Sequence, residues 1–108
     1  MTIRVIFQFG SETIEVRIQE TNVYFRTTQL VQFATIDGLK LDKSGVIKEF
    51  PDLKDKDDWK EQAIKRFKEK IKNMSSETER AKYVIEDLSK FGYKPLYIQK
   101  AGHRPIKL

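Results

Sequence analysis

The chain has 108 residues, 39% of them hydrophobic, with 21 basic and 16 acidic side chains, a formal net charge of +5 and no cysteine. That length fits one domain able to bury a core without staples, and the missing cysteine excludes disulfides, thiolate nucleophiles and thiolate metal sites. No apolar run approaches the roughly 18 residues that a bilayer-spanning helix needs.

Met1-Thr2-Ile3-Arg4 runs straight into a strand-like pattern and has no signal-peptide layout, so a cytoplasmic, non-membrane protein is expected. Abundant Lys, Glu and Ile lean towards a thermophile, against which eight Asn and Gln residues count.

In chain order, Ile3 to Phe9 alternates, with Ile3, Val5, Phe7 and Phe9 on one side and Arg4, Ile6 and Gln8 on the other. Gly10-Ser11 suits a two-residue type II′ turn, and Thr13 to Gln19 alternates again, with Ile14, Val16 and Ile18 opposed to Glu15, Arg17 and Gln19. After a turn at Glu20-Thr21-Asn22 comes a β-rich run from Val23 to Thr28. Leu30 to Ile36 is expected as a fourth strand, and Asp37-Gly38 as a turn or bulge before a short strand from Leu39 to Leu41. Lys43-Ser44-Gly45 is expected to turn into a strand from Val46 to Phe50, which Pro51 ends.

From Asp55 to Gly92 the period changes. Trp59, Ala63, Phe67, Ile71 and Met74 recur every three or four positions, the spacing of one helix face, with Asp55 as the expected N-cap and Asp57 and Asp58 in the first turn. Ser76-Glu77-Thr78-Glu79 has capping-box spacing. A second helix with Ala81, Val84, Ile85, Leu88 and Phe91 inward should end at Gly92, with Pro95 beyond it. Leu96 to Lys100 reads as a strand returning to the sheet, and Ala101 to Pro105 as a loop or tail. The fold class is therefore α+β: an antiparallel β-meander of four to five strands, a helical hairpin packed on one sheet face, and a short C-terminal strand. All 108 residues form a single domain, with strands in 1–51, the helical hairpin in 55–92, and a strand and basic tail in 95–108. The second sheet face meets solvent or a partner.

Charge is uneven along this plan. Residues 1–51 sum to zero, whereas 88–108 contain five basic residues and no acid. Arg4, Arg17 and Arg26 alternate onto the face away from the helices, together with Tyr24, Gln8 and Gln32. Arginine and tyrosine on an open sheet can contact phosphate or sugar and stack on bases. The competing expectation is that these arginines pair across strands with Glu15 or neighbouring carboxylates. The C-terminal segment adds Lys94, Lys100, His103, Arg104 and Lys107. The expected function is a module that binds nucleic acid with little sequence preference through the basic tail and outer sheet face. The alternative is a homodimer or protein-interaction module, associating through a strand edge or that same face.

Other patterns point to ordinary surface chemistry. Lys65, Lys68 and Lys72 form a helical stripe a phosphate backbone could follow, but Glu61 and Glu69 share that side. Asp52, Asp55, Asp57 and Asp58 lack the glycine and distal glutamate of a calcium loop, and fit a helix start instead. One histidine without a partner base or nucleophile makes no triad, and neither the dinucleotide fingerprint nor the Walker pattern occurs. No catalytic residue, cofactor, metal or small-molecule ligand is indicated.

Phe50-Pro51-Asp52-Leu53, Trp59, Gly92-Tyr93-Lys94-Pro95 and the closing Gly102-His103-Arg104-Pro105 together resemble small uncharacterised archaeal proteins. The resemblance covers the second half of the chain and implies no activity and no functional residue.

Overall fold

The alternation in the first third of the chain becomes the centre of a sheet. In the computed structural model, which describes residues 2–19, 22–27 and 32–108, β1 (Ile3–Phe9) pairs antiparallel with β2 (Glu12–Ile18), and β2 with β3 (Val23–Thr27). Gly10 takes the positive φ of 60° that the tight turn requires. Ile3, Val5, Phe7, Ile14, Val16, Ile18, Val23 and Phe25 are all buried on one face. A slip of one residue would turn that set to the opposite face, so burial fixes the register.

The described residues form six strands in the order β4-β3-β2-β1-β5-β6, with antiparallel pairing throughout. β5 (Lys94–Lys100) returns beside β1, as expected for the strand after the helices. Pro95 lies where the β1–β5 register shifts, at an irregularity that tolerates a residue with no ladder donor. The C-terminal segment is more ordered than a tail: Ile106–Lys107 forms β6 against Tyr97 and Ile98, and the Leu108 amide donates to the Leu96 carbonyl at 2.9 Å. Both sheet edges, β4 (Ala34–Thr35) and β6, are only two residues long, which blunts the sheet against edge-on pairing.

Three expected strands are different. Of the strand expected from Leu30 to Ile36, Leu30 and Val31 lie outside the described residues; only Ala34–Thr35 pairs, and Ile36–Gly38 is a 3-10 turn. Leu39 to Leu41 forms no strand, although Leu39 is buried. The stretch expected as a turn at Lys43-Ser44-Gly45 and a strand from Val46 to Phe50 is a helix, α1 (Lys43–Glu49). Tertiary contact overrides the β-branched character of Val46 and Ile47. The Asp42 amide donates to the Phe91 carbonyl at 3.0 Å, and Gly45 presses its bare Cα against Lys90, where a Cβ would lie 2.1 Å from the carbonyl oxygen.

The helical hairpin stands, with one corrected boundary. α2 spans Trp59–Lys72 and has Asp58 rather than Asp55 at its N-cap position, without a side-chain cap bond, because Pro51–Leu53 forms a 3-10 turn and Leu53 is wholly buried. Successive turns, Lys56 amide to Leu53 carbonyl and Trp59 amide to Lys56 carbonyl, occupy the stretch where the first helical turn was expected. At the other end, α2 stops at Lys72 with Asn73 as C-cap, so Met74 falls beyond the helix. At α3 (Glu77–Lys90) the Ser76 hydroxyl accepts from the Glu79 amide at 3.1 Å, and the Glu79 carboxylate reaches back to the Ser75 amide and hydroxyl. Gly92, at φ 101°, lets the Tyr93 amide close on the Leu88 carbonyl at 2.9 Å.

α3 lies across β1, β2 and β5, and α2 packs beside it towards the Ile36–Gly38 turn. Between helices and sheet, Phe7, Phe67, Val84, Leu88, Phe91 and Tyr93 are buried, with Trp59 and Ile85 partly so. The Tyr93 hydroxyl donates to the Lys40 carbonyl at 2.7 Å; burial, and then the Glu12 charge, raises its pKa above the ordinary phenol value. Arg80 is also buried, and its guanidinium donates to the carbonyls of Ile71, Gln19 and Met74. It thereby ties the C-terminal end of α2 to the end of β2, a cation placed where a helix end is negative. No helix among the described residues is long and apolar enough to cross a membrane.

Candidate nucleic-acid interface

The face of the sheet without helices collects the side chains that alternation sent outward. The register sets Arg4 opposite Arg17, Arg17 opposite Tyr24, and Glu15 opposite Arg26. Three arginines from three strands therefore surround one carboxylate. Arg4 and Arg17 each donate Nε–H to Glu15 Oε2 at 2.9 Å, and Arg26 donates to Oε1 at 3.1 Å. Glu15 is 7% exposed, whereas the arginine side chains keep 39–44% of their surface in solvent. Burial alone would raise the Glu15 pKa; the hydrogen bonds and charges of Arg17 and Arg4 outweigh it and hold the carboxyl below its ordinary value.

Phe33 completes the cluster. The Arg17 guanidinium lies 4.3 Å from its ring centroid and that of Arg26 4.8 Å, a cation–π arrangement that holds both planar groups in place. Arg4 and Arg17 reach Glu15 through Nε, so the hydrogen bonds to the carboxylate do not use their terminal nitrogens. Among the described residues only Gln99 accepts from one of them, at 3.0 Å from Arg4. Arg and carboxylate here are hydrogen-bonded without being charge-matched.

The rest of the face follows from β5 and β6. Lys94 is opposite Gln8, Tyr97 opposite Ile6, Gln99 opposite Arg4, and Lys107 opposite Tyr97, so all four share the face with the arginine cluster. Of the expected site residues, Arg4, Arg17, Tyr24, Arg26, Lys94 and Lys107 thus come together. Lys100 pairs with Ile3 and falls on the helix side of β5, and His103 and Arg104 lie exposed in the β5–β6 connection. Phe33, Tyr97 and Gln99 were not singled out from sequence. Tyr97 and Gln99 carry an alternation signal in β5, while Phe33 lies outside any strand and carries none.

The lysine stripe has a different setting. Lys65, Lys68 and Lys72 line a groove of about 590 Å³ between α2 and β3, together with Asp37, Glu61 and Glu69. Lys68 bonds Asp37 at 2.9 Å, so acids interrupt the positive track. Among the described residues no three His, Asp or Glu side chains gather as metal ligands. No family model, no curated protein and no solved structure significantly matches this chain.

Proposed function

We propose that this protein binds single-stranded nucleic acid, with little dependence on sequence, across the sheet face that carries no helix. One observation carries the reading. Among the described residues, Arg4, Arg17, Arg26, Lys94 and Lys107 share that face with a single acid, Glu15, and with the aromatic rings of Tyr24, Phe33 and Tyr97. An excess of cations supplies contacts to phosphate, and rings on a sheet give bases a surface to stack on. The arginine forks are pre-oriented by Glu15 and Phe33, which lowers the ordering cost of binding. His103 and Arg104, in the β5–β6 connection, lie beyond the sheet and extend the polar, basic surface there.

The test is fluorescence anisotropy with labelled 12-residue single strands of DNA and RNA and the matching duplexes, from low to physiological salt. Binding should be micromolar or weaker at physiological salt, fall steeply as salt rises, and favour single strands over duplex. Replacing Arg17 and Arg26 together by alanine should weaken every sequence and flatten the salt slope. Absence of binding at low salt and high protein concentration would overturn the reading.

A second reading rests on a separate observation. Among the described residues, Tyr97, Ile106 and Leu108 are the large apolar side chains left substantially exposed, at 46, 62 and 51%, all at the β5–β6 end of the sheet. Their clustering supports a homodimer or protein contact there. Sedimentation across a wide concentration range tests the homodimer; a concentration-independent monomer would remove it and leave only a contact with a different protein.

A further inference from the structure

Within the proposed surface one small concavity stands out by its chemistry. Arg4, Ile6, Tyr97, Gln99 and Pro105 enclose a cleft of about 200 Å³ on the helix-free face. It is smaller than the pockets of about 300 Å³ and above that take drug-sized ligands, so it suits one flat ring system. Its walls are the exposed Tyr97 ring and Pro105, with Ile6 beside Tyr97 on the neighbouring strand β1. One end is polar, and that end is already organised. Gln99 Oε1 accepts from Arg4, and Gln99 Nε2 donates to the His103 carbonyl at 3.0 Å, so both ends of its amide are engaged. Arg4 is held from the other side by Glu15 at 2.9 Å.

We propose that this cleft receives one unstacked nucleobase of the bound strand, and that Arg4 selects a base with two adjacent hydrogen-bond acceptors. The inference rests on the nucleic-acid reading and narrows it. The planar guanidinium of Arg4 has N–H groups beyond the two engaged with Glu15 and Gln99, and it has no acceptor to offer. A paired donor fork matches guanine at O6 and N7. Cytosine offers a similar pair at O2 and N3. Adenine N1 and N7 each lie beside the N6 amino donor, and both uracil oxygens lie beside N3–H, so neither base presents two acceptors together to the Arg4 fork. Stacking on Tyr97 adds affinity for any base, and the surrounding arginines and lysines hold the phosphates on either side. Sequence preference is thereby confined to one position of an otherwise indifferent surface.

The probe is an abasic octamer carrying a single central guanine, cytosine, adenine or uracil, beside the fully abasic octamer, measured by anisotropy over a series of salt concentrations. Guanine and cytosine strands should bind about five-fold tighter or more than adenine and uracil strands, the low end of a good bidentate pair. Arg4→Lys keeps the charge and loses the fork, so it should erase that preference and leave the salt slope in place. Tyr97→Ala, at an exposed site, should weaken all four base-bearing strands and leave the abasic strand unchanged. Equal affinity for every strand, with Tyr97→Ala neutral and salt-dependent binding intact, would overturn the cleft assignment and leave the wider face standing. No binding to any strand would overturn both.

Discussion

Replacing Glu15 with glutamine tests how the arginine cluster is held. Glutamine keeps the shape and removes the charge that three guanidiniums share at 2.9, 2.9 and 3.1 Å. Fully buried charged hydrogen bonds contribute about 1.5–3 kcal/mol each. Here the arginines are roughly two-fifths exposed and can rehydrate, so the exposed-pair value, below about 1 kcal/mol each, is the better guide. Relief of burying the charge offsets part of the loss, whereas Arg4 facing Arg17 across the ladder, now unscreened, adds to it. The expected net cost is about 2 kcal/mol at neutral pH, or roughly 8 °C in melting temperature for a domain near this size. The acid limb gives a second signature. The folded-state pKa of Glu15 is depressed, so its contribution is fully present above the unfolded value of about 4.3 and is lost as pH falls through the lower folded value. Glu15→Gln removes that loss, so the two stability curves should converge as acid is added. Urea unfolding followed by Trp59 fluorescence and circular dichroism from pH 7 to pH 3 measures both. Equal stability at pH 7, with parallel curves into acid, would refute the argument that this carboxylate organises the face.

Substitutions at three further positions probe the helical side. Gly45→Ala should destabilise by about 1–3 kcal/mol or prise α1 from α3, because its Cβ would meet the Lys90 carbonyl oxygen at 2.1 Å; chemical denaturation at neutral pH measures it, and a neutral result would mean the helices move apart freely. Arg80→Met should cost about 3 kcal/mol or more by leaving the Ile71, Gln19 and Met74 carbonyls without their donor, and Arg80→Lys should restore only part of it in the same denaturation assay. Ser76→Ala should cost about 0.5–2 kcal/mol through the lost cap on α3, visible as a lower melting temperature; an unchanged melt would mean that water replaces the hydroxyl.

The sequence was most legible where one physical signal acted alone. Strict alternation around Gly10 reports β1 and β2, and capping-box spacing at Ser76 reports the start of α3, because each element satisfies its own backbone from neighbours in sequence. It was least legible where distant contacts decide. Val46 and Ile47 favour a strand locally, yet α1 forms because Gly45 and Asp42 dock on the end of α3, some 45 residues away in the chain. Likewise Asp55 is a good cap by type, but the burial of Leu53 commits the preceding chain to turns, and the helix waits until Trp59. Arg80 gave no sign of burial because its partners are backbone carbonyls, which no side-chain pattern reveals.

The outer face shows why alternation alone left two readings open there. It correctly sent Arg4, Arg17 and Arg26 to one side with Glu15, and both expectations, pairing with that acid and an exposed basic surface, follow from the same placement. The geometry makes them compatible. One carboxylate accepting from three guanidiniums satisfies hydrogen bonds on all of them but cancels only one positive charge. Its near-complete burial beneath arginines that remain some 40% exposed puts the negative charge below and the positive charge on top. An approaching polyanion therefore meets the guanidiniums first, already fixed in direction by Glu15 and by the Phe33 ring. A carboxylate in that position lowers the net charge of the face by one unit and in return holds its cations still, as the phosphate contacts proposed above would require.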